Sequence, residues 1–196
     1  MTHLFLDIET GGIAIGNISI LKLSLATYRY GKTRIFQKNT LSLSVKPDDG
    51  VYKVEAGALR VNNIDLVEHD KEAIPYSQAA RKIVEFLKKE MEGETTKLIA
   101  TGHNIQDFDL GHIFHNILDK RTWNRYVSPH VVDTLGVAKY LTTIGILPED
   151  LSLNQKSLAN HLDIAIDEEK LHDADYDIDV CARILFKLRK LSNPEI

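Results

Sequence analysis

The chain has 196 residues, of which 43% are hydrophobic and 27% are charged, which suits one domain with a hydrophobic core. Its formal net charge of -4 argues against a protein that coats nucleic acid through a basic surface. The lone cysteine, Cys181, excludes an internal disulfide, and no stretch has the apolar length of a signal peptide or a membrane span. We therefore predict one domain over residues 1–196 and a cytoplasmic location.

The first apolar run, residues 3–9, ends at Gly11 and Gly12 and predicts a strand. Side chains alternate between the faces of a strand, so Asp7 and Glu9 share one face. Two acids on one face of an apolar strand are costly unless a cation offsets their charge. This first strand therefore already suggests more than a packing role.

The remaining pattern predicts a mixed α/β fold. Residues 56–74 resemble irregular structure with short helical turns. A hairpin followed by alternating helices and strands implies a mixed five-stranded sheet with helices on both faces. Apolar runs and turn residues predict an antiparallel hairpin of strands 18–30 and 33–45, strands at 97–101 and 131–132, and helices between Pro75 and Gly93 and over 107–119, 134–143, 154–162 and 173–191.

Acids recur in three stretches that packing alone does not explain. Divalent cations such as Mg²⁺ bind oxygen ligands, and the paired ions of phosphoryl-transfer sites lie about 3.5–4 Å apart. Two such ions would cancel the charge of four carboxylates. An Asp at a helix start is more often a cap, which is our interpretation of Asp173. We interpret Asp133 either as a cap or as a residue that supports the site residues from behind. The stretches are Asp7-Ile8-Glu9-Thr10, Gly102 to Asp109, and His172 to Asp177.

Together these stretches resemble the three motifs of the DEDDh (DnaQ-like) 3′–5′ exonuclease family, which includes the proofreading epsilon subunit of bacterial DNA polymerase III. The first stretch resembles the first motif. Asn104 followed by Phe108-Asp109 resembles the second, and His172 through Asp177 resembles the third. The resemblance extends from residue 4 to residue 188, and Val132-Asp133-Thr134 resembles a further element of the family.

This resemblance implies a ribonuclease H-like fold and a metal-dependent 3′–5′ exonuclease that releases nucleoside 5′-monophosphates. The implied cofactors are two divalent cations, Mg²⁺ or Mn²⁺. By position, the implied catalytic metal ligands are Asp7, Glu9, Asp109 and Asp177, with His172 as the general base. An unperturbed histidine titrates at about pH 6.5, which suits accepting a proton from water.

Two departures from the family pattern leave alternatives open. Three residues instead of two precede Phe108 after Asn104, so Asp107 competes with Asp109 as the third carboxylate. Gly11-Gly12 stands where Thr-Gly is usual, which leaves the choice of substrate open. The predicted substrate contacts are Thr10, His103, Asn104 and Phe108.

The predicted partner is the 3′ end of single-stranded nucleic acid, with DNA preferred, together with the nucleoside monophosphate product. No membrane partner is predicted, and the oligomeric state stays open. An RNA-trimming exoribonuclease would use the same site. A catalytically silent nucleic-acid-binding domain would be expected to lack one of the acids or the histidine. The pair His112 and His115 has a spacing compatible with metal, but we interpret it as packing.

Overall fold

A mixed six-stranded sheet forms the centre of the structure, a computed structural model that describes residues 1–193. The predicted mixed sheet and antiparallel hairpin are confirmed. The sheet has six strands rather than five, because residues 74–75 pair in parallel with the end of the third strand. In chain order the strands are β1 (His3–Thr10), β2 (Ile20–Tyr30), β3 (Ile35–Lys46), β4 (Ile74–Pro75), β5 (Ile99–Gly102) and β6 (Val132–Asp133), arranged β4-β3-β2-β1-β5-β6.

The helices follow the predicted order, with differences at short elements and at ends. The helix predicted over 107–119 is shorter, because Phe108 has a non-helical backbone (φ −120°, ψ −77°). A four-residue helix at 120–123 was not predicted. The helices are α1 (Ala56–Val61), α2 (Leu66–Glu72), α3 (Tyr76–Glu90), α4 (Asp109–Asn116), α5 (Lys120–Trp123), α6 (Thr134–Thr143), α7 (Gln155–His161) and α8 (Ala174–Ser192), with a 3₁₀ turn at Glu168–Lys170.

Helices cover both faces of the sheet, as the alternation along β1 requires. Leu4 and Leu6 pack with Ile83 of α3 and other apolar residues on one face. Phe5 points to the opposite face and packs with Cys181 of α8. The inner stripe of α8 is buried at every position, namely Ala174, Ile178, Cys181, Leu185 and Leu188.

The sheet opens at the carboxyl end of β1. The parallel β1–β5 ladder runs only as far as the pair Phe5 and Thr101, and β5 then leads into α4. At Gly102 a Cβ would lie 2.1 Å from Ile105 Cγ2 and 3.0 Å from the Leu6 carbonyl oxygen, so the chain turns close against β1. A crevice outside the carboxyl ends of strands is a common place for ligands in such sheets.

No helix within residues 1–193 combines the length and the apolar character that crossing a membrane requires.

Candidate active site

Three carboxylates meet where β1 passes under the first turn of α8. Oxygen atoms of Asp7, Glu9 and Asp177 all lie within 4.8 Å of one another. Asp177 fits the inner stripe of α8, because it lies three residues after Ala174 and four before Cys181, on the helix face that packs on β1. Packing of α8 on the sheet therefore brings Asp177 to the two acids of β1.

A third element, α4, brings Asp109 beside these acids, although it is not one of the three whose oxygens all lie within 4.8 Å of one another. It is the first residue of α4, is 4% exposed, and its Oδ1 accepts the N–H of Ile8 at 3.1 Å. Asp107 is exposed and lines a different cavity of about 350 Å³. Of the two alternatives, the structure thus brings Asp109 to the site. We refer to Asp7, Glu9, Asp109 and Asp177 as the carboxylate cluster.

The strand acids carry strongly shifted pKa values. Burial raises the pKa of Asp7 well above its usual value, and the charges of Asp109 and Glu9 raise it further. Burial, followed by the charge of Asp177, raises the pKa of Glu9 to about 8, although Lys22 opposes the shift. These acids are thus harder to ionise in the protein than in the unfolded chain.

The two helix acids show the same trend to a smaller degree. Burial raises the pKa of Asp109 to about 7, against the effect of its bond with the Ile8 N–H. Burial raises the pKa of Asp177 to about 6, although the N–H of His172 lowers it. All four acids of the cluster therefore have pKa values above their usual range, and those of Asp7 and Glu9 are shifted more than that of Asp177.

The cluster fits divalent cations in its donor chemistry. Asp177 Oδ1 is buried and has no hydrogen-bond partner among residues 1–193, whereas its Oδ2 accepts the N–H of His172. Carboxylate oxygens are the ligands that Mg²⁺ and Mn²⁺ prefer. In the described part of the chain, no other group of three or more His, Cys, Asp or Glu residues gathers its ligand atoms in this way, and His112 and His115 form no such group.

His172 lies at the rim of the cluster. Its backbone is left-handed (φ 67°), and its N–H donates to Asp177 Oδ2 at 3.1 Å. The residue is exposed and lines a cavity of about 260 Å³ together with Glu9. The predicted base therefore borders the same cavity as one of the predicted metal ligands.

Lys22 of β2 was missed by the sequence analysis. It lies opposite Glu9 in the β1–β2 ladder, and its Nζ lies 2.7 Å from Oδ2 of Asp173. Asp173 caps α8 as predicted, because it accepts the N–H groups of Asp175 and Tyr176. The signal in the sequence that could have identified Lys22 is a charged residue among the apolar residues at the start of β2.

Several of the four predicted substrate contacts already bond to or pack on other residues of the chain. The Thr10 hydroxyl donates to the Gly12 carbonyl at 2.6 Å. His103 Nδ1 lies 2.9 Å from Thr134 Oγ1. Phe108 is half-buried beside His112, with ring centres 4.8 Å apart. These contacts stay predictions.

The exposed Asn104 completes that set, and two further asparagines were not predicted. The N–H of Asn104 donates to Asp133, which also caps α6 as predicted. Asn62 donates from Nδ2 to the Thr10 carbonyl at 3.1 Å, next to a register shift between Glu9 and Thr10. Asn62 and Asn63 line the cavity that contains His172. These two asparagines reach the cavity because the chain after α1 folds back to β1. No local sequence pattern predicts this long-range contact.

Solved structures of exonuclease I resemble this fold. One aligns with a TM-score of 0.76 at 20% identity, covering 98% of this chain and 41% of that chain. A zinc-bound complex of E. coli exonuclease I with single-stranded DNA aligns with a TM-score of 0.73 at 22% identity, covering 98% and 41%. Its complex with a dT13 oligonucleotide aligns with a TM-score of 0.75 at 19% identity, covering 98% and 42%.

This likeness establishes a ribonuclease H-like fold, which the motif resemblance implied. The chain spans less than half of the length of the exonuclease I chains. No family model matches the sequence, and no curated protein matches it either.

Proposed function

We propose that this chain is a metal-dependent 3′–5′ exonuclease domain that releases nucleoside 5′-monophosphates from single-stranded nucleic acid, with DNA preferred. The observation that carries the proposal is the carboxylate cluster with His172 at its rim. Support also comes from the fold, which resembles that of exonuclease I, a protein solved in complexes with single-stranded oligonucleotides. The single domain over 1–196, the cytoplasmic location and the relation to epsilon-type subunits are part of the same proposal.

The chain's own residues divide the work between binding and proton transfer. Asp7, Glu9 and Asp177 would hold the cations, and Asp109 would complete the set from α4. When bound, two Mg²⁺ or Mn²⁺ ions would neutralise the carboxylates and stabilise the negative charge that develops on the scissile phosphate. His172 would accept a proton from the attacking water.

The cavity beside Glu9 and His172 suits the end of a strand. Its volume of about 260 Å³ is near the lower end of the ligand pockets found in proteins, which span about 300–1,000 Å³. A cavity of this size favours one terminal nucleotide over a longer segment. The exposed rim would leave the rest of the strand in solvent.

The test is digestion of matched DNA and RNA single strands, labelled at either end, with Mg²⁺ or Mn²⁺. We expect 3′-labelled DNA to release labelled mononucleotides from the first time point. 5′-labelled DNA should give a ladder of progressively shortened labelled strands, and a chelator should abolish both products. Asp7→Asn should lower the rate by about 10³-fold, because it removes one charge at the centre of the cluster.

Asp107→Asn is the matched control and should cut like the unmodified chain. Early release of a 5′ label, or full activity in Asp7→Asn, would contradict the proposal. Faster cutting of RNA would identify the exoribonuclease alternative, and binding without cutting would identify the silent domain.

A further inference from the structure

An ion pair crosses from the sheet to the start of α8 beside the carboxylate cluster. Lys22 is the one charged residue among the first nine residues of β2, and it lies opposite Glu9 in the ladder. Directly opposite residues of an antiparallel pair share one face, so Lys22 and Glu9 point the same way. The Lys22 Nζ nevertheless ends 2.7 Å from Asp173 Oδ2.

Asp173 uses its two oxygens for different elements. Its Oδ1 accepts the N–H groups of Asp175 at 3.1 Å and Tyr176 at 3.4 Å, which caps α8. Its Oδ2 is the partner of Lys22. Burial alone would raise the pKa of Asp173, but the bond with Lys22 and the capping N–H groups outweigh it and hold the pKa below its usual value. One carboxylate therefore joins β2 to the first turn of α8.

The residue before this carboxylate is His172. Its left-handed backbone (φ 67°) turns the chain into the helix, and its N–H bonds to Asp177 Oδ2 at 3.1 Å. The segment is thus fixed to the cluster on one side and to β2 on the other. His172 also lines the same cavity as Glu9, so the two attachments flank a residue that borders the cluster.

We propose that Lys22 is a positioning residue that acts through Asp173 to hold His172 against the carboxylate cluster. This inference rests on the proposed function, in which His172 is the base. It differs from two other roles for a lysine at this place. A phosphate contact would act on substrate binding, and a long-range charge effect on Glu9 would act on cation affinity.

The variants Lys22→Gln and Asp173→Asn separate these roles. Asn retains the helix cap, so the second change removes chiefly the ion pair. The two changes alter the charge beside the cluster in opposite directions. A charge effect would therefore shift cation affinity and rate in opposite directions, whereas a positioning role lowers kcat in both.

We expect each single change to lower kcat for a single-stranded oligonucleotide about tenfold at saturating Mg²⁺, with KM unchanged. The double variant should be no slower than either single one, because both remove the same contact. Lys22→Arg should restore kcat to within about threefold, since arginine keeps the pair with the carboxylate. A raised KM with unchanged kcat in Lys22→Gln, opposite effects of the two changes, or additive losses would overturn the inference.

Lys46→Gln is the matched control. The pair of Lys46 with Asp70 has almost the same length, 2.8 Å, and side-chain exposures of 23% and 53% against 27% and 45% for Lys22 and Asp173. It touches none of the residues proposed for catalysis. Its removal should leave kcat unchanged, and an equal loss there would show a general effect of losing an ion pair.

Amide hydrogen exchange gives a readout that does not depend on activity. Loss of the ion pair should speed exchange of the His172 N–H about tenfold in Lys22→Gln and Asp173→Asn, and not in Lys46→Gln. An unmodified chain without nuclease activity would defeat the proposed function, while this exchange would still decide the link between Lys22 and His172. Unchanged exchange in both variants would overturn the link even in an active enzyme.

Discussion

Glu90 at the end of α3 and Asp7 in β1 are both acids held against the central sheet, but their surroundings differ. Glu90 is 2% exposed, and each of its oxygens has a donor. The Thr27 hydroxyl and the Asn39 amide both donate to it at 2.6 Å, and Lys38 Nζ lies 3.6 Å away. Asp7 instead faces other acids, and its pKa is raised by burial and, to a smaller degree, by the charges of those acids.

The contrast separates an acid that stabilises the fold from acids that destabilise it. When a carboxylate with donors on both oxygens is buried, the hydrogen bonds to those donors replace most of the hydration free energy that it loses. Carboxylates that face one another lack that compensation, and their persistence points to a ligand of opposite charge. Changes at the carboxylate cluster should therefore alter catalysis and cation binding, and changes at Glu90 should alter stability.

An effect close to that of Asp7→Asn is expected from the third carboxylate. Asp109→Asn keeps an oxygen for the Ile8 N–H, so the fold should survive while kcat falls by about 10²–10³-fold. Asp107→Asn should change kcat less than about twofold, because its side chain is exposed away from the cluster. Steady-state rates with equal circular dichroism spectra provide the measurement. The reverse order would make Asp107 the ligand.

A smaller loss is expected at His172. Asparagine tolerates its left-handed backbone, so His172→Asn removes the imidazole with little cost to the fold. We expect kcat to fall about 10²-fold, as is usual for a lost general base. The rise in melting temperature on adding Mn²⁺ should be unchanged. Loss of that rise would instead assign His172 to cation binding.

Glu90→Gln should lower the stability of the fold and leave catalysis unchanged, unlike the changes at the carboxylate cluster. It leaves one donor of the Thr27 and Asn39 pair facing an amide N–H₂, and it weakens hydrogen bonds to a charged acceptor, so the free energy of unfolding should fall by about 2 kcal/mol. Urea unfolding measures this change. The kcat of the remaining folded protein should be that of the unmodified chain. If Glu90→Gln lost kcat but kept its free energy of unfolding, the assignment of Glu90 to stability would be wrong.

The smallest effect concerns pH and cations. Glu9, with a pKa of about 8, and Asp109, with one of about 7, hold protons that the unfolded chain releases near pH 4, so stability without metal should fall as pH rises between about 4 and 8. Saturating Mg²⁺ should raise the melting temperature by about 5 °C more at pH 8 than at pH 5.

Glu90→Gln should keep this difference, and Glu9→Gln should reduce it. Equal gains at both pH values would show that cations do not bind through the carboxylates with raised pKa values.

Local periodicity accounts for what the sequence predicted well. The alternation along β1 predicts that both faces of the sheet are covered and that Asp7 and Glu9 share one face. The apolar spacing along α8 predicts the helix face that packs on the sheet. The order of the long elements follows from the same patterns. The elements β4 and α5, of two and four residues, are too short to carry a period and were missed. The equally short β5 and β6 were predicted from their apolar runs.

Other parts of the site depend on tertiary contacts. The choice between Asp107 and Asp109 depended on where α4 begins, which the backbone of Phe108 decides. Lys22 and Asp173 are 151 positions apart in the sequence, so their pairing follows from the packing of α8 on the sheet. No spacing rule within one segment predicts such a contact.

The separate origins of the cluster, in β1, α4 and α8, also bear on how the chain folds. Docking of α8 brings Asp177 against Asp7 and Glu9, so like charges oppose that step in the absence of cations. Ions that bind only the assembled site act after docking and slow its reversal. We therefore expect divalent cations to lengthen the lifetime of the native state while leaving the early collapse of the chain unchanged.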